Sequence, residues 1–341
     1  MKILEVKLMQ HTPMIHFQYD QYGATLRASE VKPKLDRFLL TKLGGDKGYD
    51  EGFKVAKAKG WLVGNKGEHP ALDYKVKIIA QDPVEKVQLK VERKGEKWKA
   101  DFPMLLANIM GGGQKNKEDL RFFSMYKSIT LYLYCGKDDL YGALNLDKTL
   151  PEFFSNTNFG QRSNKGFGSF TVEGPDLFGS IEEGTYYMDF RLKSHCDSYE
   201  PIYLLDNQYK LFKVIDLFWN TLRDSVKQDK HVRCDKIDNV QSYIKSMKHI
   251  EEYKGVDRMP APIMFKPISY IDDKDNLMFS VYIMLDTGML QRLKRSDIPN
   301  NFSSERIDNL RYINKFVSCN YREWKWTPGV RGVSEVEFYQ Q

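Results

Sequence analysis

Apolar and polar residues alternate from the start of the chain, and Lys2-Ile3-Leu4-Glu5-Val6-Lys7-Leu8-Met9 reads as a half-buried strand. From Ser29 the period changes. Val31, Leu35, Phe38 and Leu39 fall on one face of a helix predicted over Ser29–Leu43, with Ser29 as N-cap and Gly44-Gly45 as its stop. Pro33 then belongs to the first turn, where its missing N–H is tolerated. A polar, glycine-punctuated stretch follows. Strands are expected at about Tyr74–Ala80 and Val84–Glu92, joined by Asp82-Pro83, and an apolar strand at Ile129–Cys135. A short helical segment near Leu150–Phe154 precedes a glycine-rich loop and then Ser169–Val172, an edge or closing strand.

A second series begins after Gly174-Pro175. Tyr186–Leu192 reads as a strand, and Tyr209–Val226 as a long helix with Leu211, Ile215, Phe218, Trp219 and Leu222 on one side. A shorter helix is expected over Val240–Ile250. Ile263–Tyr270 and Met278–Leu285 form a hairpin around Asp272–Asn276, Ser304–Lys315 is helical, and Val333–Tyr339 is a last strand. Allowing for one inserted helix, the order is β-α-β-β-α-β, the ferredoxin-like arrangement. The first half reads the same way with larger insertions. The expected fold is α+β, two tandem ferredoxin-like (RRM-like) domains over 1–175 and 176–341.

The glycine-rich loop holds the densest candidate chemistry. Asn158-Phe159-Gly160-Gln161-Arg162-Ser163-Asn164-Lys165-Gly166-Phe167-Gly168-Ser169-Phe170 combines glycines, two cations, small polar residues and aromatics without an acid. Glycine lets a ligand approach the backbone closely, Arg and Lys supply positive charge for phosphate, and Phe offers a face for a base. Gly160, Gln161, Arg162, Ser163, Asn164, Lys165, Gly166, Phe167 and Gly168 are therefore candidate RNA contacts. The alternative is a surface loop that only closes the fold. No Gly-Lys-[Ser/Thr] follows at Walker spacing.

Charge adds direction. The net charge is +6, yet residues 1–100 carry 20 Lys+Arg against 13 Asp+Glu, leaving 32 against 33 in the remaining 241. All of the positive excess lies in the first third, which suits a polyanion. Arg27, Lys32, Lys34 and Arg37 cluster at the start of the first predicted helix, as a second candidate RNA surface or a solvated face. At 341 residues the chain has room for two domains. No apolar run is long enough to span a bilayer and Met1-Lys2-Ile3-Leu4-Glu5 is no signal peptide, so a cytoplasmic protein with reduced cysteines is expected.

Three stretches together resemble the RAMP superfamily of CRISPR effector proteins. In that family the loop before a domain's last strand joins glycines to cations, as Gly160–Ser169 does here. Ala24-Thr25-Leu26-Arg27-Ala28-Ser29-Glu30-Val31-Lys32-Pro33-Lys34-Leu35-Asp36-Arg37-Phe38 resembles the lead-in to the first helix in the two-RAMP-domain subunit of type III-B (Cmr) complexes. Arg258-Met259-Pro260-Ala261-Pro262-Ile263-Met264-Phe265-Lys266-Pro267-Ile268 resembles a strand of the same subunit, with Ala261 in place of its usual Ser. Pro33 departs from the pattern, standing where Arg, Lys or Gly is usual.

The resemblance implies binding rather than catalysis: a structural subunit that packs against other RAMP subunits and clamps crRNA and target RNA near the crRNA 3′ end in antiviral defence. No cofactor and no metal are expected. The alternative is a metal-free endoribonuclease processing CRISPR RNA, with His11 or His16 and Tyr19 or Tyr22 as general acid and base. Asp20 is a further loop carboxylate in the region where cleaving subunits of these complexes carry an Asp. His195-Cys196 with His231 and Cys234 lacks the paired CxxC of a zinc knuckle. Gly111–Lys117 reads as a mobile basic turn, and Tyr321–Trp326 as a mixed aromatic and basic surface or a packing element.

Overall fold

The computed structural model describes residues 1–15, 25–64, 71–84, 91–94, 97–100, 125–174, 181, 185–192, 203, 205–224, 263–285 and 328–340. The predicted helices at 240–250 and 304–315, together with His16, Tyr19, Asp20, Tyr22, His195, Cys196, His231, Cys234, 111–117 and 321–326, lie outside these residues. The chain divides into two compact units. The first comprises 1–88, 121–163 and 167–181; the second comprises 89–120, 164–166 and 182–341.

The first unit opens with β1 (Lys2–Gln10), α1 (Ala28–Gly44), a short 3-10 turn (Gly45–Lys47) and α2 (Gly48–Ala58). The short strands β2 (Leu62–Val63) and β3 (Ala71–Leu72) pair with each other, and β4 (Tyr74–Pro83) follows. The antiparallel pair β5 (Val91–Lys94) and β6 (Lys97–Ala100) belongs to the second unit. The first unit then continues with β7 (Tyr126–Cys135), α3 (Asp138–Leu144), α4 (Leu146–Ser155) and β8 (Phe170–Val172). Its sheet is four-stranded, in the order β4-β7-β1-β8. Counting its strands by their place in the β-α-β-β-α-β series gives 2-3-1-4, the ferredoxin-like order. β8 closes the edge, as its sequence predicts.

Alternation explains the layering. On β7, Ile129, Leu131, Leu133 and Cys135 are buried, while Thr130, Tyr132 and Tyr134 point to the other face. The buried face packs on Val31, Leu35 and Leu39 of α1 and on Leu150, Phe153 and Phe154 of α4. Burying large side chains of this kind contributes about 1.5–3 kcal/mol each.

α1 begins two residues earlier than predicted. Arg27 is the N-cap, with extended backbone and no side-chain cap, so Ser29 lies inside the helix. Pro33 is therefore in the second turn, where it removes the hydrogen bond to the Ser29 carbonyl. Ser29 and Pro33 are both exposed. Gly45, at φ 55°, ends the helix as expected.

The second unit contains β9 (Tyr186–Leu192), α5 (Leu205–Asp224), β10 (Ile263–Ile271), β11 (Leu277–Leu285) and β12 (Glu337–Gln340). Its sheet runs β10-β11-β9-β12, the same 2-3-1-4 order. The predicted hairpin is present: Asp272 accepts from the backbone N–H groups of Lys274 and Asn276, forming the turn between β10 and β11. α5 packs Phe218 against Phe265 and Phe338 of the sheet, at 6.1 and 5.7 Å between ring centroids.

Candidate nucleic-acid interface

The glycine loop of the first unit is tied to its own scaffold by backbone hydrogen bonds. Gln161 N–H donates to the Ile15 carbonyl, Gly168 N–H to Pro13 and Phe159 N–H to Gly168, each at 2.9 Å. Ser169 N–H donates to the Thr12 hydroxyl at 2.9 Å, and the Asn158 amide donates to the Ser163 carbonyl at 2.8 Å. Loop and segment 11–15 thus form a small two-stranded extension ahead of β8. The glycines follow from this crowding. A Cβ on Gly168 would lie 1.9 Å from the Phe159 carbonyl oxygen, at φ +64°, and one on Gly160 would lie 2.7 Å from that of Ile15. At these two positions the close approach is that of the protein's own backbone.

α1 is joined to the same loop. The Glu30 carboxylate accepts from the Gly160 N–H, and Lys34 Nζ donates to the Asn158 carbonyl at 2.9 Å. Lys34 also sits 4.8 Å from the centroid of Phe159 and 4.0 Å from Glu30. Burial lowers its pKa, which Glu30 partly opposes. An acid therefore does face the loop, supplied by the helix. Phe159 itself is buried in an aromatic cluster with Phe153, Phe154 and Phe170. Phe167 is likewise fully buried, so it presents no face to a base.

The remaining predicted cations occupy distinct settings. Arg37 is exposed, its guanidinium 5.9 Å from the Tyr49 ring centroid. Arg27 is half-buried at the helix N-cap. Lys32 is held inside the fold: it pairs with Asp36 at 2.8 Å, donates to the Leu72 carbonyl at 2.9 Å and lies 4.0 Å over the Tyr74 ring. Gln161 is exposed, and Arg162 is half-buried in the left-handed region at φ 57°.

Asn164–Gly166 belong to the second unit. There Lys165 Nζ lies 3.2 Å over the Trp219 ring, a close cation–π contact, and a Cβ on Gly166 would meet Pro267 at 2.9 Å. Sequence reasoning missed Glu30, Asn158 and Trp219. Glu30 and Asn158 lie within the quoted stretches, but nothing local ties them across more than 120 residues.

His11 does not present a base. Its ring is fully buried, with Nε2 2.7 Å from the Thr171 hydroxyl. Among the described residues no three His, Cys, Asp or Glu side chains gather as a metal site, and no helix is long and apolar enough to cross a membrane.

Two ferredoxin-like sheets, with a basic helix and a glycine loop ahead of the first sheet's closing strand, define a RAMP-type protein. The family profile of the Cmr1 N-terminal domain matches residues 1–226, about two thirds of the chain. The chain belongs to that family, and is thereby a subunit of the type III-B CRISPR Cmr complex. No curated protein matches. Among solved structures, the crystal structure of Cmr1 from Pyrococcus furiosus in its apo form aligns over 98% of both chains, at 11% identity and a TM-score of 0.42.

Proposed function

We propose that this chain is a non-catalytic RNA-binding subunit, clamping crRNA and paired target RNA near the crRNA 3′ end and packing against other RAMP subunits. The observation that carries the reading is the joining of α1 to the glycine loop through Glu30–Gly160 and Lys34–Asn158. It fixes the start of a basic helix beside the Gln161–Ser163 edge of the loop. Arg27, Arg37, Gln161 and Arg162 supply the contacts, and the glycines hold the loop's shape. Binding is to the backbone, weakly dependent on base sequence and strongly dependent on salt.

The test is RNA affinity at several salt concentrations for the full chain carrying Arg37→Ala and Arg162→Ala. Lys165 is left in place, because its close contact with Trp219 would confound binding with packing. Affinity is expected to fall at every RNA sequence tried, and the salt slope to shrink by about 1 per lost contact, with thermal melts run alongside to separate lost RNA contacts from lost packing. Unchanged affinity and slope would remove this surface. A cleaved repeat RNA in EDTA would instead favour the endoribonuclease.

A further inference from the structure

The face of the first sheet turned away from its helices has a composition that the reading above does not use. Strand register places Ile3, Tyr134 and Lys75 in one row across β1, β7 and β4, then Glu5, Tyr132 and Lys77, then Lys7, Thr130 and Ile79. Side chains alternate along each strand, so these nine share one face. The core residues of β7 and the helices packed on them lie on the other. Lys7, Lys75 and Lys77 are exposed, and among the described residues none of them forms an ion pair. Ile3 is 55% exposed. On the central strand the half-buried Tyr132 and Tyr134 rings lie near-parallel, at 22° with centroids 6.4 Å apart.

We infer that this face is a platform for a single-stranded RNA segment, with bases stacked on Tyr132 and Tyr134 and phosphates met by Lys7, Lys75 and Lys77. Two neighbouring aromatic faces on an open sheet are what unpaired bases need, and each base offers a π-face whatever its identity. Duplex RNA keeps its base faces stacked inside the helix and cannot use them. Three lysines against one glutamate in these rows favour a polyanion. A protein neighbour is the poorer occupant, because lysine is depleted in protein–protein interfaces. The inference shares its ligand class with the function proposed above but uses none of its residues, since α1 packs on the opposite face of the sheet.

The experiment measures fluorescence anisotropy of a labelled oligouridine with the full chain and four paired variants. Tyr132→Ala with Tyr134→Ala is expected to weaken binding by about 5- to 150-fold per stacked base. Tyr132→Phe with Tyr134→Phe keeps both rings and should bind as the parent does. Lys75→Glu with Lys77→Glu, wholly at the surface, should also weaken binding, with a loss that narrows as salt rises. This pair keeps the test decisive if the alanine pair folds poorly. Arg37→Ala with Arg162→Ala runs in parallel.

Loss in that last pair with full affinity in the alanine and glutamate pairs would overturn the sheet-face platform alone. No oligouridine binding by the parent would overturn the sheet-face platform, and would overturn the clamp as well only if paired RNA also failed to bind. A phenylalanine pair as weak as the alanine pair would overturn stacking. Intact RNA affinity with lost co-assembly with other Cmr subunits would assign the face to a protein neighbour instead.

Discussion

On the first sheet, the face away from the helices carries exposed Lys7, Lys75 and Lys77 beside half-buried Tyr132 and Tyr134. On the second, the face opposite α5 carries Lys266, Ile268, Ser280 and Tyr282, each no more than 2% exposed, with Asp189, Tyr187, Tyr270 and Tyr339 among them. Strand order is the same in both. The residue types are also close: lysine, tyrosine and one or two acids. What differs is water. In the first sheet these groups meet solvent and are available to a ligand. In the second, Lys266, Ser280 and Tyr282 are closed off from water, and the ionisation of groups on that face moves accordingly. Burial drives the Lys266 ammonium well below its ordinary pKa, raises the Asp189 carboxyl, and pushes the Tyr270 hydroxyl up to about 12.

The largest test of this contrast is a pair of tyrosine truncations. Tyr282 is 1% exposed and stacks on Tyr187 at 4.8 Å between centroids. Tyr282→Ala is expected to cost about 3–5 kcal/mol, as for other large aromatic side chains removed from a packed interior. Tyr132→Ala, on the open sheet, should cost about 1 kcal/mol. Urea titration of both variants measures the difference. Equal losses would mean that the two faces are equally packed and the comparison is false.

Some of this could be read from the chain and some could not. β1 and β7 alternate because one face of their sheet meets water, and alternation is visible in sequence. β10 reads Ile263-Met264-Phe265-Lys266-Pro267-Ile268, nearly continuous apolar residues, because both of its faces are buried. The strand was legible, yet nothing local marked Lys266 as its buried cation. The glycines of the loop were legible as sites of close approach. That the approaching atoms at Gly160 and Gly168 are backbone oxygens of Ile15 and Phe159 depends on folding, much of it at long range. The engagement of Lys32 follows from its i,i+4 spacing to Asp36 and from Tyr74, which only the folded chain brings near. Ser29 is a good cap by type, yet Arg27 acts as N-cap without a side-chain bond, and no local signal marks that start.

Lys266 sharpens the comparison through pH. Its folded-state pKa lies well below the ordinary 10.5, so between those two values the unfolded chain binds the extra proton. Stability therefore rises with pH across that window and is lost as pH falls through the folded value. Lys266→Met keeps the length of the side chain and removes the charge. Denaturation measured across the alkaline range should lose this rising component in the variant. A parent and a Lys266→Met variant with superimposable profiles would show that Lys266 reaches water.

Asp189 gives the smallest effect and the opposite slope. Its carboxylate accepts from Ser280 Oγ at 3.0 Å and more weakly from the Tyr270 hydroxyl at 3.3 Å, both of which favour the charged form. Burial outweighs them, and Glu337, its cross-strand neighbour on β12, adds repulsion. With the folded pKa raised, the native state holds the proton longer than the unfolded chain does. The associated stability is complete below the ordinary carboxylate value and disappears as pH rises through the raised one. Asp189→Asn retains an acceptor for Ser280, can pair its amide with Tyr270, and has no charge to desolvate. It should therefore melt higher than the parent at neutral pH and converge with it in acid. A variant that melts lower at neutral pH would mean that the two hydroxyls stabilise the carboxylate by more than burial destabilises it. The second sheet would then hold a working anion among its tyrosines, and the contrast with the first sheet would be one of sign of charge rather than of access to water.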